Sequence, residues 1–284
     1  PLDFITAHGQ TIWHAPKDEQ TISGRGSKSW QLFDPWPIVK RLNVPVCYDL
    51  RQADLIAGGE GAPLTPIADW VMYRSQADYV ANLGGVLNVT NLSSEPNGVT
   101  GGDIYPCNLL LDGLCKRYFD KPYDEDGEYA KRGRLVPAYV DVIYDAVQQA
   151  CEENQSLGRE QFSPAWFDRL LASIGETNTP EDVLHTATRL VAVQLGGEFR
   201  EAGQANERLV LAGGGAKNRT LVKLIKELSY YDVCLSDELG IPCEAREAMG
   251  FAVLGALSQD GVPISLPQVT GATDPGVAGA WAGV

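Results

Sequence analysis

Two glycine turns and two carboxylates in this chain have the types and spacing to do chemistry. Gly213-Gly214-Gly215-Ala216-Lys217-Asn218 follows an apolar run, Arg208–Ala212, and precedes a helical pattern from about Thr220 to Leu228. Glycine lets backbone come close to a ligand, and a helix N-terminus presents free N–H groups. The stretch is neither G-x-x-x-x-G-K-[ST] nor G-x-G-x-x-G, so neither of those phosphate loops is present. A tight strand-to-helix turn explains the three glycines equally well. Asn82-Leu83-Gly84-Gly85 is the second turn, and a hairpin demands one for geometry alone.

Asp103 follows Gly101-Gly102 at the end of a strand-like run, Val99–Asp103. A carboxylate there is placed to act as a general base or to hold Mg²⁺, and an ordinary capping Asp is the structural alternative. Glu247 opens a helical stretch rich in small residues: Ala248, Gly250, Ala252, Gly255 and Ala256. The helix dipole favours an acid there in any case, and a magnesium role is the sharper alternative.

The composition narrows the classes. Lys and Arg number 23 and Asp and Glu 37 in 284 residues, a net charge of −14. That balance argues against a nucleic-acid backbone or an anionic membrane surface as the main partner. No run approaches the ~18 apolar residues of a membrane-spanning helix. The six cysteines show no C-x-x-C pair or zinc spacing, and read as reduced thiols of a cytoplasmic protein. With three histidines, His8, His14 and His185, a His-rich metal site is not expected. Leu2–Ala7 reads as a strand already under way, so the chain is expected to begin inside a domain, with no secretory signal.

The elements that must position these residues follow from periodicity and punctuation. Residues 17–29 are polar and Gly/Ser-rich, a loop or hairpin tip. Asp34-Pro35 opens a helix to Leu42, and Val44–Tyr48 is a strand. A helix is expected near Ile67–Ser75, then an antiparallel meander of Tyr79–Leu83, Val86–Asn91 and Val99–Asp103. Helices are expected at Asn108–Tyr118, Val136–Cys151, Pro180–Phe199 and Ala248–Leu257, and strands at Arg208–Ala212 and Val233–Leu235. A meander, then helices, then strand–turn–helix–strand–helix is an α/β pattern with a mixed sheet.

Taken in order, HGQTIWH (8–14), LRQADLIAGGEGAPL (50–64), NLGGVLNVT (82–90), GGDIYPCN (101–108), PYDEDGEYAKRG (122–133), GREQF (158–162), LAGGGAKN (211–218), SDELGIPCEAREAMGFA (236–252) and LPQVTGA (266–272) form a specific set. By it the chain resembles the anhydro-N-acetylmuramic acid kinase family, with its levoglucosan-kinase relatives, within the actin/hexokinase/Hsp70-like ATPases. The resemblance implies a two-lobed actin-like (ribonuclease H-like) α/β fold: residues 1–75 as an incomplete first lobe, 76–270 as the second, and 271–284 returning to the first. The lobes would close on a cleft holding ATP-Mg.

The resemblance also implies roles. Asp103 would be the catalytic base and, with Glu247, would order Mg²⁺. Gly84 and Gly85 would face the nucleotide phosphates, and Gly213, Gly214 and Asn218 would border the adenosine. His8, Gln10, Arg51 and Asp54 would line the sugar side. The implied partners are ATP and a small anhydro sugar, without nucleic acid or membrane; a second copy of the chain is a candidate partner.

The chain departs from the family pattern in four places. It lacks the opening G-T-S-x-D-G phosphate loop. Tyr105 and Cys107 replace two glycines beside the base, and Glu60 stands within Gly58-Gly59-Glu60-Gly61. Arg51-Gln52-Ala53 stands where bacterial members carry an arginine run, which suits a sugar without a lactyl carboxylate. The missing loop and the altered 105–107 turn motivate a second expectation, a truncated or decayed homologue that only binds sugar or nucleotide.

Overall fold

The computed structural model describes residues 2–15, 27–152, 161–175, 179–197 and 207–283. The chain opens with β1 (Ile5–Thr6), β2 (Gln10–Ala15), β3 (Lys28–Leu32), α1 (Trp36–Leu42), β4 (Val46–Tyr48), α2 (Gln52–Ile56) and α3 (Thr65–Tyr73). It continues through β5 (Tyr79–Leu83), β6 (Val86–Asn91), β7 (Thr100–Pro106), α4 (Asn108–Phe119), α5 (Glu128–Arg132), α6 (Pro137–Glu152), α7 (Pro164–Ile174) and α8 (Pro180–Gly197). It ends with β8 (Arg208–Ala212), α9 (Arg219–Leu228), β9 (Asp232–Leu235), α10 (Arg246–Gln259), α11 (Pro267–Thr270) and β10 (Ala280–Ala282). Most of the predicted 17–29 loop lies outside the described residues, and Lys28 and Ser29 belong to β3.

The chain divides into two compact units. The first comprises Pro1–Asp78, Thr90–Gly102 and Ala245–Val284; the second comprises Tyr79–Val89 and Asp103–Glu244. This differs from the expected division, because Thr90–Gly102 and Ala245–Thr270 belong to the first unit. The reason lies in the small residues of α10. A Cβ at Gly250 would sit 3.6 Å from the Ala68 Cβ on α3, and one at Gly255 would collide with Thr6 of β1. Glycine at these positions lets α10 lie against α3 and β1 at close range.

A buried ion pair fixes the same helix. The Arg246 Nε donates to Asp69 Oδ1 at 2.8 Å and its Nη2 donates to Oδ2, while the Thr90 hydroxyl donates to Oδ2 at 3.0 Å. Asp69 is completely buried and Arg246 nearly so. Elsewhere in this unit β4 is the central strand, parallel to β1 and antiparallel to β10, and β2 pairs antiparallel with β3. Only Ile5 and Thr6 of the predicted 2–7 strand pair in this way.

The second unit is organised by a five-stranded sheet in the order β7-β6-β5-β8-β9. Its β5, β8 and β9 run parallel, with Asn82 opposite Ala212 and Leu211 opposite Leu235. The two residues between β5 and β6 allow only an antiparallel pair, so the sheet is mixed. Leu83, Leu87, Leu110, Leu114, Ile143, Leu184, Leu195 and Leu211 are inaccessible to solvent in one core. The unit is α/β, as the order of elements predicts.

Candidate active site

In the second unit the two glycine turns meet. At the β5–β6 hairpin the Gly85 carbonyl accepts from the backbone N–H of Cys107 (2.9 Å) and of Leu109 (3.0 Å), and the Gly84 carbonyl accepts from Asn108 N–H (3.0 Å). These bonds satisfy the first turn of α4, whose N–H groups lack intrahelical partners. A trans peptide points its N–H opposite to its C=O, so the Gly85 N–H is directed away from α4. The hairpin thus presents a donor on its outer side, where Gly85 is exposed.

The 213–218 turn leaves β8 with Gly213 at φ +86°, a conformation that favours glycine, and the Gly213 N–H is held by the Cys243 carbonyl at 3.0 Å. A Cβ on Gly213 would collide with the Asn82 amide oxygen, and one on Gly215 would lie 2.8 Å from Leu83. Gly214 is different: no atom lies within 4 Å of where its Cβ would be. The turn therefore holds one glycine with open space above it. Asn218 closes the turn as the N-cap of α9, its side-chain oxygen accepting from Leu221 N–H at 2.9 Å.

Sequence reading did not assign a role to Asn108. Its side-chain N–H donates to the Leu83 carbonyl at 3.1 Å, and its oxygen lies 2.9 Å from the Cβ position of Gly215. It ties the hairpin, the start of α4 and the second turn together. The signal was its place as last residue of GGDIYPCN, directly after a strand.

Asp103 does not end its strand: β7 runs on to Pro106, so the carboxylate stands in mid-strand. The residue is exposed, and its carboxylate makes no hydrogen bond among the described residues. Although the residue reaches solvent, the protein packed around it partly desolvates the carboxyl and raises it above the ordinary value of 3.8. Tyr105 and Cys107, the two replacements of family glycines, are buried in the core of this unit, and burial pushes the Cys107 thiol up to about 12. Their side chains therefore fill the interior and leave the Asp103 carboxylate uncovered.

In the first unit His8, Arg51 and Glu247 form one electrostatic group. Arg51 Nε donates to His8 Nε2 at 2.9 Å, and His8 Nδ1 lies 2.9 Å from the Gly9 carbonyl. Burial first, and the Arg51 charge second, lower the His8 pKa. Burial likewise lowers that of Arg51, against the opposing charge of Glu247. The Phe251 ring lies against the His8 ring, with centroids 5.0 Å apart. Glu247 is exposed in the first turn of α10, and Gln10 is exposed at the start of β2.

Asp54 takes another place. It is fully buried, and its carboxylate accepts from Gly61 N–H (2.7 Å) and from the Thr270 hydroxyl (2.6 Å). A Cβ on Gly59 would strike the same carboxylate. Asp54 thus organises the glycine-rich 58–61 loop from beneath, and whatever faces a ligand there is the loop.

Among the described residues no group of three or more His, Cys, Asp or Glu side chains could hold a metal. Asp103 and Glu247 nevertheless offer exposed carboxylate oxygens, the hard donors that Mg²⁺ prefers. Mg²⁺ is usually held by one or two carboxylates together with substrate phosphates, so each of these carboxylates, taken by itself, has the donor chemistry that ion takes.

The second unit is thus an α/β unit with two adjoining glycine turns and an exposed carboxylate. The profile of the anhydro-N-acetylmuramic acid kinase family matches residues 2–282, and the chain belongs to that family. The anhydro-N-acetylmuramic acid kinase of Salinibacter ruber is 37% identical, over 96% of this chain and 71% of its own length. Those of Bacillus cereus strain 03BB102 and Burkholderia vietnamiensis are each 34% identical, over 95% and 97% of this chain and 72% of their own lengths. Among solved structures, xylulose kinase from Rhodospirillum rubrum matches 68% of this chain and 40% of its own with a TM-score of 0.45 and 14% identity, too slight a likeness to carry an argument. No helix of the described residues is long and apolar enough to cross a membrane.

Proposed function

We propose that the protein is an ATP-dependent kinase of 1,6-anhydro sugars that opens the anhydro bridge as it phosphorylates. The observation that carries this is the family match over residues 2–282. The nucleotide is assigned to the second unit, its phosphates to Gly84-Gly85 and its adenosine to Gly213, Gly214 and Asn218. The outward Gly85 N–H and the open space at Gly214 support that assignment. The sugar is assigned to the first unit, to His8, Gln10 and Arg51, with Asp54 supporting the adjoining loop.

In this reading Asp103 takes a proton from a water molecule. That water's oxygen bonds to the anomeric carbon, the bridging C1–O6 bond breaks, and O6 receives the terminal phosphoryl group as ADP leaves. Asp103 is suited to the first step: it is exposed, and among the described residues no hydrogen bond occupies its carboxylate. Its raised pKa makes it a stronger base than an ordinary aspartate, with efficiency rising as a base's pKa approaches the working pH. Mg²⁺, when bound, would neutralise phosphate charge, and Asp103 and Glu247 are the residues proposed to hold it.

Loss of the arginine run beside Arg51 favours a sugar without a carboxylate, of levoglucosan type. The six cysteines are free, which supports a cytoplasmic setting, and the charge of −14 supports small-molecule partners over nucleic acid. A coupled ADP-release assay tests the proposal. ADP release with levoglucosan or anhydro-N-acetylmuramic acid confirms the reaction class and ranks the sugars. Release with neither, together with retained nucleotide binding, favours the non-catalytic homologue.

A further inference from the structure

One side chain touches both glycine turns and is spent on neither. Asn82 is the penultimate residue of β5 and pairs in register with Ala212, the last residue of β8. Its amide nitrogen lies 3.1 Å from the Cβ position of Gly84, and its amide oxygen lies against that of Gly213. A side chain at either position would press on the Asn82 amide, which lies between them.

The neighbouring amide gives the contrast. Asn108 is committed to protein, its N–H to the Leu83 carbonyl and its oxygen to the Cys107 thiol at 3.7 Å. Asn82 is only half-buried, and its amide makes no hydrogen bond among the described residues. Here the donor side lies at the hairpin turn, 3.1 Å from the Cβ position of Gly84.

We infer that Asn82 is a ligand-contacting residue of the nucleotide site, its side-chain N–H donating to a phosphate oxygen at the Gly84-Gly85 turn. The inference rests on the nucleotide reading above and adds a residue that reading does not include. Two donors then converge on one anion from a single hairpin: a backbone N–H and a side-chain amide. The Asn82 oxygen, on the Gly213 side, carries acceptor character away from the phosphate.

Calorimetry on the full chain tests this, with a non-hydrolysable ATP analogue plus Mg²⁺ and, separately, adenosine as probes. Asn82→Ala removes atoms that make no hydrogen bond among the described residues, so its thermal midpoint should match that of the parent. A hydrogen bond to a charged group is typically worth enough that its loss weakens binding roughly 10- to 100-fold. Asn82→Asp keeps the shape but replaces the donor with a negative oxygen, and should weaken the triphosphate analogue further. Adenosine affinity should change in neither variant.

Unchanged analogue affinity in both variants, with normal binding by the parent, overturns the inference and leaves the nucleotide reading intact. Equal losses for analogue and adenosine overturn the phosphate contact and make Asn82 a shape-holding residue. A parent chain that binds neither probe overturns the nucleotide reading itself, and the inference with it.

Discussion

Arg51 donates its Nε–H to His8 Nε2, and this single bond settles the state of the histidine. A guanidinium has only donors, so Nε2 must carry the lone pair. The ring proton then sits on Nδ1, where the Gly9 carbonyl at 2.9 Å accepts it. His8 is held neutral, in one tautomer, and cannot serve as a base while Arg51 occupies it. Its part is to orient the arginine.

The first prediction follows from that pairing. The folded-state pKa of His8 lies below its ordinary 6.5, lowered by burial and then by Arg51. The unfolded chain therefore binds the proton more readily, and stability from His8 is present above about pH 6.5 and is lost as pH falls towards the folded pKa. His14 shifts the same way for the same causes. The thermal midpoint should fall between about pH 7.5 and 5.5, and His8→Gln should reduce that fall without abolishing it. An equal fall in parent and variant would exclude His8 from the pH response.

Asp103→Asn should cut kcat by roughly 10²–10⁴-fold, the usual cost of losing a general base. Its thermal midpoint should barely move, because the carboxylate makes no hydrogen bond among the described residues. The parent's rate should decline with falling pH around a pKa above 3.8, since only the deprotonated form accepts the proton. A normal kcat in the variant removes Asp103 from the reaction.

Gly214 and Gly215 are adjacent and should respond in opposite ways. Gly214→Val places its side chain in open space, so the fold should persist while affinity for an ATP analogue drops. Gly215→Ala forces a methyl to 2.8 Å from Leu83 and 2.9 Å from the Asn108 amide oxygen. Overpacking of that kind costs about 1–3 kcal/mol. Calorimetry and urea unfolding on both variants separate the two effects.

Asp69→Ala leaves the buried Arg246 guanidinium without its partner. Breaking a buried ion pair by removing one side typically costs about 3–5 kcal/mol, whereas replacing both sides by apolar groups is often neutral. The double variant Asp69→Leu/Arg246→Met should therefore recover much of the loss seen in denaturant unfolding. A double variant as unstable as the single would show that the ion pair itself is required.

Much of the architecture was legible because it is written in local periodicity. The apolar spacing of Asn108–Tyr118, Val136–Cys151 and Pro180–Phe199 led to α4, α6 and α8, with the ends of α4 and α6 within one residue and the expected end of α8 at Phe199 outside the described residues. The glycine turns announced themselves because backbone geometry restricts what can stand there. Short elements with little periodicity escaped: α2 and α5, of five residues each, and β10, which exists only by pairing with β4. The eleven-residue α7 was missed as well.

Residue type and order alone marked Asp103, the two glycine turns and Glu247 as the places where chemistry could occur, and marked the family through motifs spread along the chain. Tertiary structure decided what each side chain has left to offer. Asp54 and Asn82 are both short polar residues beside glycine-rich turns, yet the Asp54 carboxylate is consumed by Gly61 and Thr270 while the Asn82 amide makes no hydrogen bond among the described residues. Packing likewise drew α10 into the first unit, because its glycines approach Ala68 and Thr6, residues about 180 and 250 positions away in sequence. Local sequence carries backbone preference; which polar atoms are already satisfied depends on partners that only the folded chain brings within hydrogen-bond reach.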